Sequence, residues 1–313
     1  MTLLTIGFTL GLILFYLKFY TARKVTEAER KYPPLGKFVT VDGIRLHYVS
    51  KGEGRPVVFI HGSFGSAYDF TLSILDRAAE KYRAIAFDRP GHGYSQRPSH
   101  MSMSLFDHAR YIRGAVKALG LEPPILVGHS IGGAVALAYA LDYAEDAAGV
   151  VLLSGYVTPF KGPCNPIHSI PAIPLIGKVY LAALVRPLGN RIKQAIAKKV
   201  FSPYEPPQAY IDAAAALAMR PLHFAANAED IRNLCDGLRI INTSYGRIDL
   251  PLTILTGDAD LIAPRANHAD KIMAAVPQAR VTVLPGTGHQ PAFTHPDQVL
   301  KAIDHMAQLS QTG

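Results

Sequence analysis

The sequence predicts an α/β fold in which a mostly parallel β-sheet is covered by helices on both faces. Short apolar runs typical of buried strands alternate with longer segments of helical periodicity, which is the pattern of such sheets. Hydrophobic residues make up 49% of the 313-residue chain, enough to bury a large sheet. In addition, one apolar run leads directly into a glycine-flanked serine, Gly128-His129-Ser130-Ile131-Gly132, followed by a helix-forming segment.

The sheet is predicted to begin with a hairpin. Residues 38–41 and 45–49 alternate in polarity around Asp42-Gly43, a pair favoured in two-residue hairpin turns. Ser104 and Asp107 form a potential capping box for a helix that continues to about Leu119, and Pro296 begins a last helix. Further strands are predicted at 57–60, 84–87, 125–128, 149–153, 252–256 and 280–284.

The segment from Gly128 to Gly132 predicts a nucleophile elbow, a very tight turn between a strand and a helix. Side chains two residues either side of the serine would collide there, and glycines remove the collision. The Ser130 hydroxyl would then stand at a helix N-terminus, where free N–H groups favour a developing anion. A glycine-flanked serine in an ordinary turn would have the same five residues, so the interpretation depends on the rest of the chain.

Two candidate partners for Ser130 follow later in the chain. Asp258 and Asp260 come after the strand at 252–256, and His289 comes after the strand at 280–284. A serine hydroxyl is a weak nucleophile until a histidine takes its proton, and a carboxylate then holds the tautomer and stabilises the cation. The candidates lie just beyond strand ends, where open parallel sheets gather their functional groups.

On these residues the chain resembles the α/β-hydrolase-fold serine hydrolases, whose triad follows the order serine, acid, histidine. The resemblance extends over about residues 36–310. Beside the elbow, it rests on three blocks in the expected order. His61 to Ser66 resembles the oxyanion loop, Phe87 to Ser95 resembles an Asp-x-x-Gly-x-Gly-x-Ser turn, and Gly257 to Pro264 resembles a Gly-x-x-Asp-x-x-x-Pro acid loop.

The resemblance implies a role for each candidate. Ser130 is expected to be the nucleophile and His289 the general base. Asp260 is the expected acid because it lies three residues after the loop glycine, while Asp258 is expected to bond nearby amides of the turn. Of the 12 histidines, His61, His129, His268 and His295 also lie near these blocks, but only His289 ends a strand in the required place.

The same resemblance implies an oxyanion hole made of two backbone amides. One belongs to Ile131, the residue after the nucleophile, and the other to the His-Gly loop. Ser63 is the expected loop donor, with Phe64 as the neighbouring alternative. Because main-chain groups leave no side-chain pattern, the choice between them rests on the resemblance alone.

Residues 158–247 interrupt the alternation of strands and helices. Prolines are frequent up to Pro207, and helical patterns follow at 209–218 and 228–238. In this family such an insertion forms a cap over the site, between the core segments 37–157 and 248–313. Some of its apolar residues are expected to form an acyl or alkyl pocket, and the majority to pack the cap on the core. They are Ile167, Ile170, Ile173, Leu175, Ile176, Tyr180, Leu181 and Leu184.

Residues 1–22 are predicted to form an uncleaved transmembrane anchor. Residues 2–17 carry no charge, and about 20 helical residues span the ~30 Å hydrocarbon core of a bilayer. Lys18 near the end of the run can extend its side chain to the interface. The alternatives are a buried core helix and a signal peptide, although the positive leader and small-residue cleavage site of a signal are not evident.

The flanking charges predict the orientation. Lys18, Arg23, Lys24, Arg30 and Lys31 follow the apolar run, so the catalytic domain is expected to face the cytoplasm. Cleavage of a signal peptide would instead give a secreted or periplasmic protein. Residues 23–36, which end near Pro33-Pro34, are predicted to be an exposed linker.

The charge pattern suggests possible partners. Between Lys161 and Tyr204 every charged residue is basic, which suits anionic lipid head groups but is equally typical of a solvated surface. The formal net charge of +8 raises nucleic acid as a partner, but no nucleic-acid-binding motif supports it and none is expected. Cys164 and Cys235 have no metal-ligand spacing and are expected to be free thiols. No metal or organic cofactor is expected.

The sequence therefore predicts a membrane-anchored serine hydrolase that cleaves a carboxylic ester or related acyl bond of a mostly apolar small molecule. A serine at the elbow argues against dehalogenase and epoxide-hydrolase chemistry, which requires a carboxylate nucleophile. Three alternatives remain: a carbon–carbon bond hydrolase of aromatic degradation, a cofactor-free haloperoxidase-like perhydrolase, and a noncatalytic ligand-binding member of the family. The exact substrate and the oligomeric state are not predicted.

Overall fold

The protein forms one eight-stranded sheet in the order β1-β2-β4-β3-β5-β6-β7-β8. The structure is a computed structural model that describes residues 3–99, 101–159 and 166–310. β1–β2 and β2–β4 are antiparallel pairs, and the other neighbours are parallel. The predicted α/β fold is confirmed. The strands are Lys37–Val41 (β1), Ile44–Lys51 (β2), Pro56–Ile60 (β3), Arg83–Phe87 (β4), Ile125–His129 (β5), Gly149–Leu153 (β6), Leu252–Gly257 (β7) and Arg280–Leu284 (β8).

Helices cover both faces of the sheet. The helices of the described chain are Leu3–Lys31 (α1), Ala67–Thr71 (α2), Leu75–Ala78 (α3), Leu105–Ala118 (α4), Ile131–Asp142 (α5), Ile176–Val179 (α6), Val185–Phe201 (α7), Gln208–Ala218 (α8), Pro221–Thr243 (α9), Ala269–Ala275 (α10), Pro291–Thr294 (α11) and Pro296–Leu309 (α12). Alternate strand residues point to opposite faces, so Val58 and Ile60 join α4, α5 and α10 in one apolar cluster. Val57 and Phe59 join α2, α3 and α12 in the other.

Local sequence explains two of the predicted elements. The hairpin turn between β1 and β2 has positive φ at both central residues, 47° at Asp42 and 77° at Gly43, as a two-residue hairpin turn of this class requires. Helix α4 begins with the predicted capping box. The Ser104 hydroxyl accepts from the Asp107 amide at 3.1 Å, and the Asp107 carboxylate accepts from the Ser104 amide at 2.9 Å.

The segment between β6 and β7 is mostly helical. Single turns at Pro166–His168 and Ile170–Ala172 precede α6, which continues through a π-helical turn at Tyr180–Leu184 into α7. The helical patterns predicted at 209–218 and 228–238 correspond to α8 and to the longer α9. Cys164 and Lys161 lie outside the described residues. Cys235 on α9 is half-buried and forms no disulfide bond within the described part of the chain.

Helix α1 is longer than predicted. It continues unbroken to Lys31, so residues 23–31 of the predicted linker are helical. Glu27 pairs with Arg23 at 3.0 Å and with Lys24 at 2.6 Å, which supports the helix at one-turn spacing. Packing adds to this, because Ala28 is buried against the body of the protein.

The C-terminal end of α1 is joined to the cap by an ion pair. Arg220, the residue that precedes α9, holds Glu29 of α1 at 3.0 Å. The Arg220 guanidinium also donates to the carbonyl oxygen of Gly93 in the core. One side chain therefore links α1, the cap and the core.

The N-terminal part of α1 is apolar and exposed. The helix Thr5–Lys31 is long and apolar enough to cross a membrane, with a mean hydropathy of 1.4 and only 6% of its apolar window buried. Phe8 is 70% exposed and Phe15 is 71% exposed. A buried core helix is therefore excluded, and the properties of α1 fit a membrane anchor or a signal sequence.

Candidate active site

Ser130 occupies a strained turn between β5 and α5. Its φ of 54° and ψ of −120° lie in a region that residues with a side chain rarely adopt. A Cβ added to Gly132 would overlap the carbonyl oxygen of Ile60, and one added to Gly128 would overlap the backbone at Gly132. The two glycines thus allow the close approach of β5, α5 and β3 that holds Ser130 at the end of the sheet.

The structure brings Ser130, Asp260 and His289 together. His289 Nε2 lies 2.9 Å from Ser130 Oγ, and His289 Nδ1 lies 2.8 Å from Asp260 Oδ2. All three residues are buried. One ring nitrogen faces the hydroxyl and the other faces the carboxylate, which is the arrangement needed to move a proton from a serine to a histidine.

Asp260 rather than Asp258 contacts the imidazole. Its second oxygen, Oδ1, accepts from the amides of Ile262 at 2.8 Å and Ala263 at 2.9 Å. Burial alone would raise the pKa of Asp260, but the hydrogen bond from His289 and the two amides outweigh it and lower the pKa to about 2. Asp258 instead accepts from the amide of Gly286 at 2.7 Å and so closes its own turn.

The other nearby histidines hold backbone or loop groups. His129 Nε2 lies 2.7 Å from the carbonyl oxygen of His289, and burial lowers the pKa of His129 to about 3. His268 contacts a backbone amide at 3.3 Å, and burial lowers its pKa to about 4. These rings are therefore neutral near pH 7 and fix the loops around His289. His61 and His295 contact neighbouring groups in the same way.

The predicted oxyanion loop, residues His61–Ser66, lies directly against Ser130. A Cβ added to Gly62 would stand 2.8 Å from the Cβ of Ser130. The Phe64 amide already donates to the side-chain oxygen of Asn227 at 2.7 Å, which leaves Ser63 as the loop donor candidate. Ile131 is the first residue of α5, so its amide has no acceptor within the helix.

Beneath the oxyanion loop lies a buried charged cluster that sequence reasoning missed. Arg89 is fully buried, and its guanidinium pairs with Asp230 of α9 at 2.6 Å. His92, His108 and His223 pack around this pair. The only sequence signal was that Arg89 and His92 fall within the Asp-x-x-Gly-x-Gly-x-Ser turn, and no local pattern connects that turn to Asp230.

The apolar cap residues separate into two groups. Tyr180 is buried with Phe224, and Ile170 and Leu181 pack against the same cluster, which also contacts Phe64 of the oxyanion loop. Leu175 by contrast is 75% exposed, and the other exposed members are Ile167, Ile173, Ile176 and Leu184. The first group therefore contacts the predicted oxyanion loop through Phe64.

A cavity of about 1200 Å³ has no triad residue in its described lining. It separates α1 from α9 and the segment 91–99, and its described lining mixes apolar residues such as Val25 and Leu222 with charged ones such as Arg97 and Glu229. Among the described residues, no group of three or more His, Cys, Asp or Glu side chains is placed to hold a metal ion.

Sequence comparison supports the assignment of the fold. A sequence model described as alpha/beta hydrolase fold matches residues 55–296. A non-heme haloperoxidase of Rhodococcus erythropolis is 30% identical over 276 residues, 84% of this chain and 96% of that protein. A 2-hydroxy-6-oxo-6-phenylhexa-2,4-dienoate hydrolase of Burkholderia cepacia is 28% identical over 276 residues, 83% of this chain and 92% of that protein.

Solved structures share the fold. A crystal structure described as a membrane phospholipase A, a bacterial virulence factor, superposes with a TM-score of 0.67 at 20% sequence identity. The match covers 99% of this chain and 97% of that chain, so it extends into α1.

The packing of the elbow predicts that Gly132→Ala will be harmful. The added methyl group has no space beside Ile60, so we expect a loss of about 1–3 kcal/mol in the free energy of unfolding, measured with urea. Gly246→Ala is the matched control, because a Cβ there would meet nothing within 4 Å. Equal stability of the two variants would contradict the packing described for the elbow.

Asp69 on α2, next to the oxyanion loop, predicts a pH dependence of stability. Burial raises the pKa of Asp69 to about 7, only partly offset by a backbone hydrogen bond from Ser66. Between about pH 4 and pH 7 the folded protein therefore keeps a proton that the unfolded chain has released, and stability falls as the pH rises. Asp69→Asn should remove this loss.

We expect the unfolding free energy of Asp69→Asn to exceed that of wild type by up to about 4 kcal/mol at pH 8, with the difference shrinking toward pH 4. Urea unfolding across this range measures it. The exposed Asp249→Asn serves as the control for the substitution itself. A constant difference between Asp69→Asn and wild type at all pH values would refute the assigned titration.

Proposed function

The chain belongs to the α/β-hydrolase fold family, and from this premise we propose that it is a serine hydrolase of carboxylic esters or related acyl bonds. The observation that carries the proposal is the line of hydrogen bonds from Asp260 through His289 to Ser130, at 2.8 Å and 2.9 Å. The proposed substrate is a mostly apolar small molecule, because the cap residues that pack with Phe64 beside the site are apolar and aromatic.

In the proposed mechanism, Ser130 Oγ attacks the substrate carbonyl carbon while His289 Nε2 takes the hydroxyl proton. The carbonyl oxygen becomes negative and accepts from the amides of Ser63 and Ile131, each donor contributing about 3–4 kcal/mol. The tetrahedral intermediate then expels the alcohol, which receives the proton from His289. Asp260 remains ionised because of its low pKa, and its charge stabilises the imidazolium.

Water completes the cycle. His289 removes a proton from a water molecule, which attacks the acyl group on Ser130, and the second tetrahedral intermediate uses the same two amides. Its collapse breaks the bond to Ser130 Oγ, returns the proton to the serine and releases the carboxylic acid. The proposed reaction needs no group beyond the residues named and water.

Two relatives support two alternative chemistries. The 2-hydroxy-6-oxo-6-phenylhexa-2,4-dienoate hydrolase relative favours a carbon–carbon bond hydrolase. The non-heme haloperoxidase relative favours a haloperoxidase-like perhydrolase. Both reactions use the same triad with a different leaving group or acceptor. Assays with acyl esters of increasing chain length, a vinylogous diketone and a peracid-forming mixture would separate the three.

We further propose that residues 1–22 anchor the enzyme in a membrane with the catalytic domain on the cytoplasmic side. The exposed apolar side chains of α1 and the basic residues after them support this. The match to the membrane phospholipase A extends into α1, which makes lipid acyl esters the first substrates to assay.

The cap is proposed to contribute to membrane contact. The π-helical turn and α7 pack beside α1, and together with α6 they expose a band of aliphatic side chains: Ile176, Val179, Leu184, Leu188, Ile192 and Ile196. Lys178, Lys198 and Lys199 lie on the same helices, and residues 166–204 contain no acidic residue. Apolar side chains beside cations suit an interface with anionic head groups.

The triad predicts a difference between two aspartates of one loop. Asp260→Asn should lower kcat about 10⁴-fold on a chromogenic ester because the imidazole loses its carboxylate partner. Asp258→Asn, the matched control, should stay near wild type. Fluorophosphonate labelling of wild type should fall on Ser130 and vanish in Ser130→Ala.

A folded wild-type protein that leaves Ser130 unlabelled would refute the proposed function and favour a noncatalytic member of the family. Loss of activity in Asp258→Asn with retention in Asp260→Asn would reverse the assignment of the acid. Intact mass spectrometry together with steady-state kinetics decides both points.

Membrane fractionation tests the anchor. The full-length protein should sediment with membranes and retain residue 1, and deletion of residues 1–22 should release active protein into the soluble fraction at high salt. If the cap contributes, the truncated protein should still bind anionic vesicles at low salt and not neutral vesicles. Soluble full-length protein, or a mature chain that begins after residue 22, would contradict the anchor.

A further inference from the structure

We propose that helix α9 of the cap holds the oxyanion loop in its reactive conformation, with Asn227 and Asp230 as positioning residues. The inference rests on the proposed function, because it concerns the amide of Ser63 as an oxyanion donor. Asn227 and Asp230 are three residues apart, so they lie on the same face of α9, the face turned toward the oxyanion loop.

Asn227 holds the loop directly. Its side-chain oxygen accepts from the Phe64 amide at 2.7 Å, and the residue is fully buried. Phe64 has a φ of 55°, a left-handed conformation that is unfavourable for a residue other than glycine. Such a conformation persists only when surrounding contacts enforce it, and the bond from Phe64 to Asn227 is one of them. The preceding amide, that of Ser63, is thereby fixed as well.

Arg89 holds the loop from below. Its Nη2 donates to the carbonyl oxygen of Gly62 at 3.2 Å, and its Nε donates to that of His61 at 3.1 Å. The peptide between Gly62 and Ser63 is trans, so the Ser63 N–H points opposite to the carbonyl that Arg89 binds. Because Gly62 lies against Ser130, fixing this carbonyl aims the Ser63 amide across the loop, away from Arg89.

The orientation of Arg89 depends in turn on the cap. The Asp230 carboxylate accepts hydrogen bonds from Arg89 Nη1 at 2.6 Å, from His108 Nε2 at 3.0 Å and from Arg97 Nη2 at 2.8 Å. A fully buried guanidinium without a carboxylate partner is strongly unfavourable, so removing Asp230 would displace Arg89 or destabilise the fold. The acid that sets the position of Arg89 is therefore supplied by α9.

These contacts couple cap and catalysis. Two side chains of one cap helix hold the oxyanion loop, one at Phe64 and one through Arg89 at Gly62. The oxyanion hole is then complete only while α9 is seated on the core. A cap that moves away would leave the triad intact and the oxyanion donor out of place.

The test compares two asparagines on α9 in the full-length protein. Asn227→Ala removes the acceptor of the Phe64 amide. Asn233→Ala is the matched control, because Asn233 Nδ2 ties the same helix to Ser102 Oγ and the carbonyl oxygen of Met103, both at 2.9 Å, without touching the loop. The measurements are kcat, KM, thermal stability and inhibition by a trifluoromethyl ketone, whose tetrahedral adduct places an oxyanion in the hole.

For Asn227→Ala we expect kcat to fall about 10- to 100-fold while KM stays within about 2-fold. The reason is that the oxyanion donor stabilises the transition state much more than the bound substrate. Trifluoromethyl ketone inhibition should weaken by the same factor as kcat. Asn233→Ala should keep both values near wild type even if it lowers thermal stability. Asp230→Asn should behave like Asn227→Ala with a larger loss of stability.

Equal effects of Asn227→Ala and Asn233→Ala on kcat would overturn the inference, because general attachment of the cap would then explain them. So would unchanged ketone inhibition in a folded Asn227→Ala variant. If that variant does not fold, Asn227→Ser replaces it with the same expectations. Absence of Ser130 labelling in wild type would instead refute the proposed function, so the two failures are distinguishable.

Discussion

Close backbone packing at the turn between β5 and α5 is the constraint on which the site depends. Ser130 keeps its positive φ only because Gly128, Gly132 and Gly62 allow two strands, a helix and a loop to meet within contact distance. No side chain fits in these contacts. The strain at one residue is therefore offset by the burial of the apolar strands around it, and the hydroxyl is presented where the ends of β7 and β8 deliver the acid and the histidine.

Two buried ionic systems flank this turn, and they differ in design. In the first, a single negative charge on Asp260 is stabilised by amides and by the imidazole, which leaves it free to balance a positive charge that forms on the ring. In the second, the charges of Arg89 and Asp230 are already paired, and the histidines beside them have pKa values lowered by burial. The first system can therefore stabilise a charge that forms on His289, whereas the second fixes the positions of the residues around Arg89.

Sequence was sufficient for elements whose signal is local. The strands and the hairpin follow from periodicity and turn residues, and the elbow, Asp260 and His289 follow from motifs at strand ends. The contacts of Asn227 and Asp230 could not be predicted, because their partners lie more than 120 residues away and a helical sequence pattern does not identify such partners. The extent of α1 was also missed, since burial of Ala28 and the pairing of Glu29 are tertiary effects that a polar, proline-bounded segment does not reveal.

The ion pair between Glu29 and Arg220 connects α1 to the rest of the protein near the C-terminal end of the helix. Arg220 immediately precedes α9, so the helix that leaves the domain and the helix that carries Asn227 share a mechanical connection. A change in the tilt of α1 relative to the sheet would have to break this ion pair or move the residue at the start of α9. If α1 were held fixed, the movement of α9, and with it the position of Asn227, would be restricted as well.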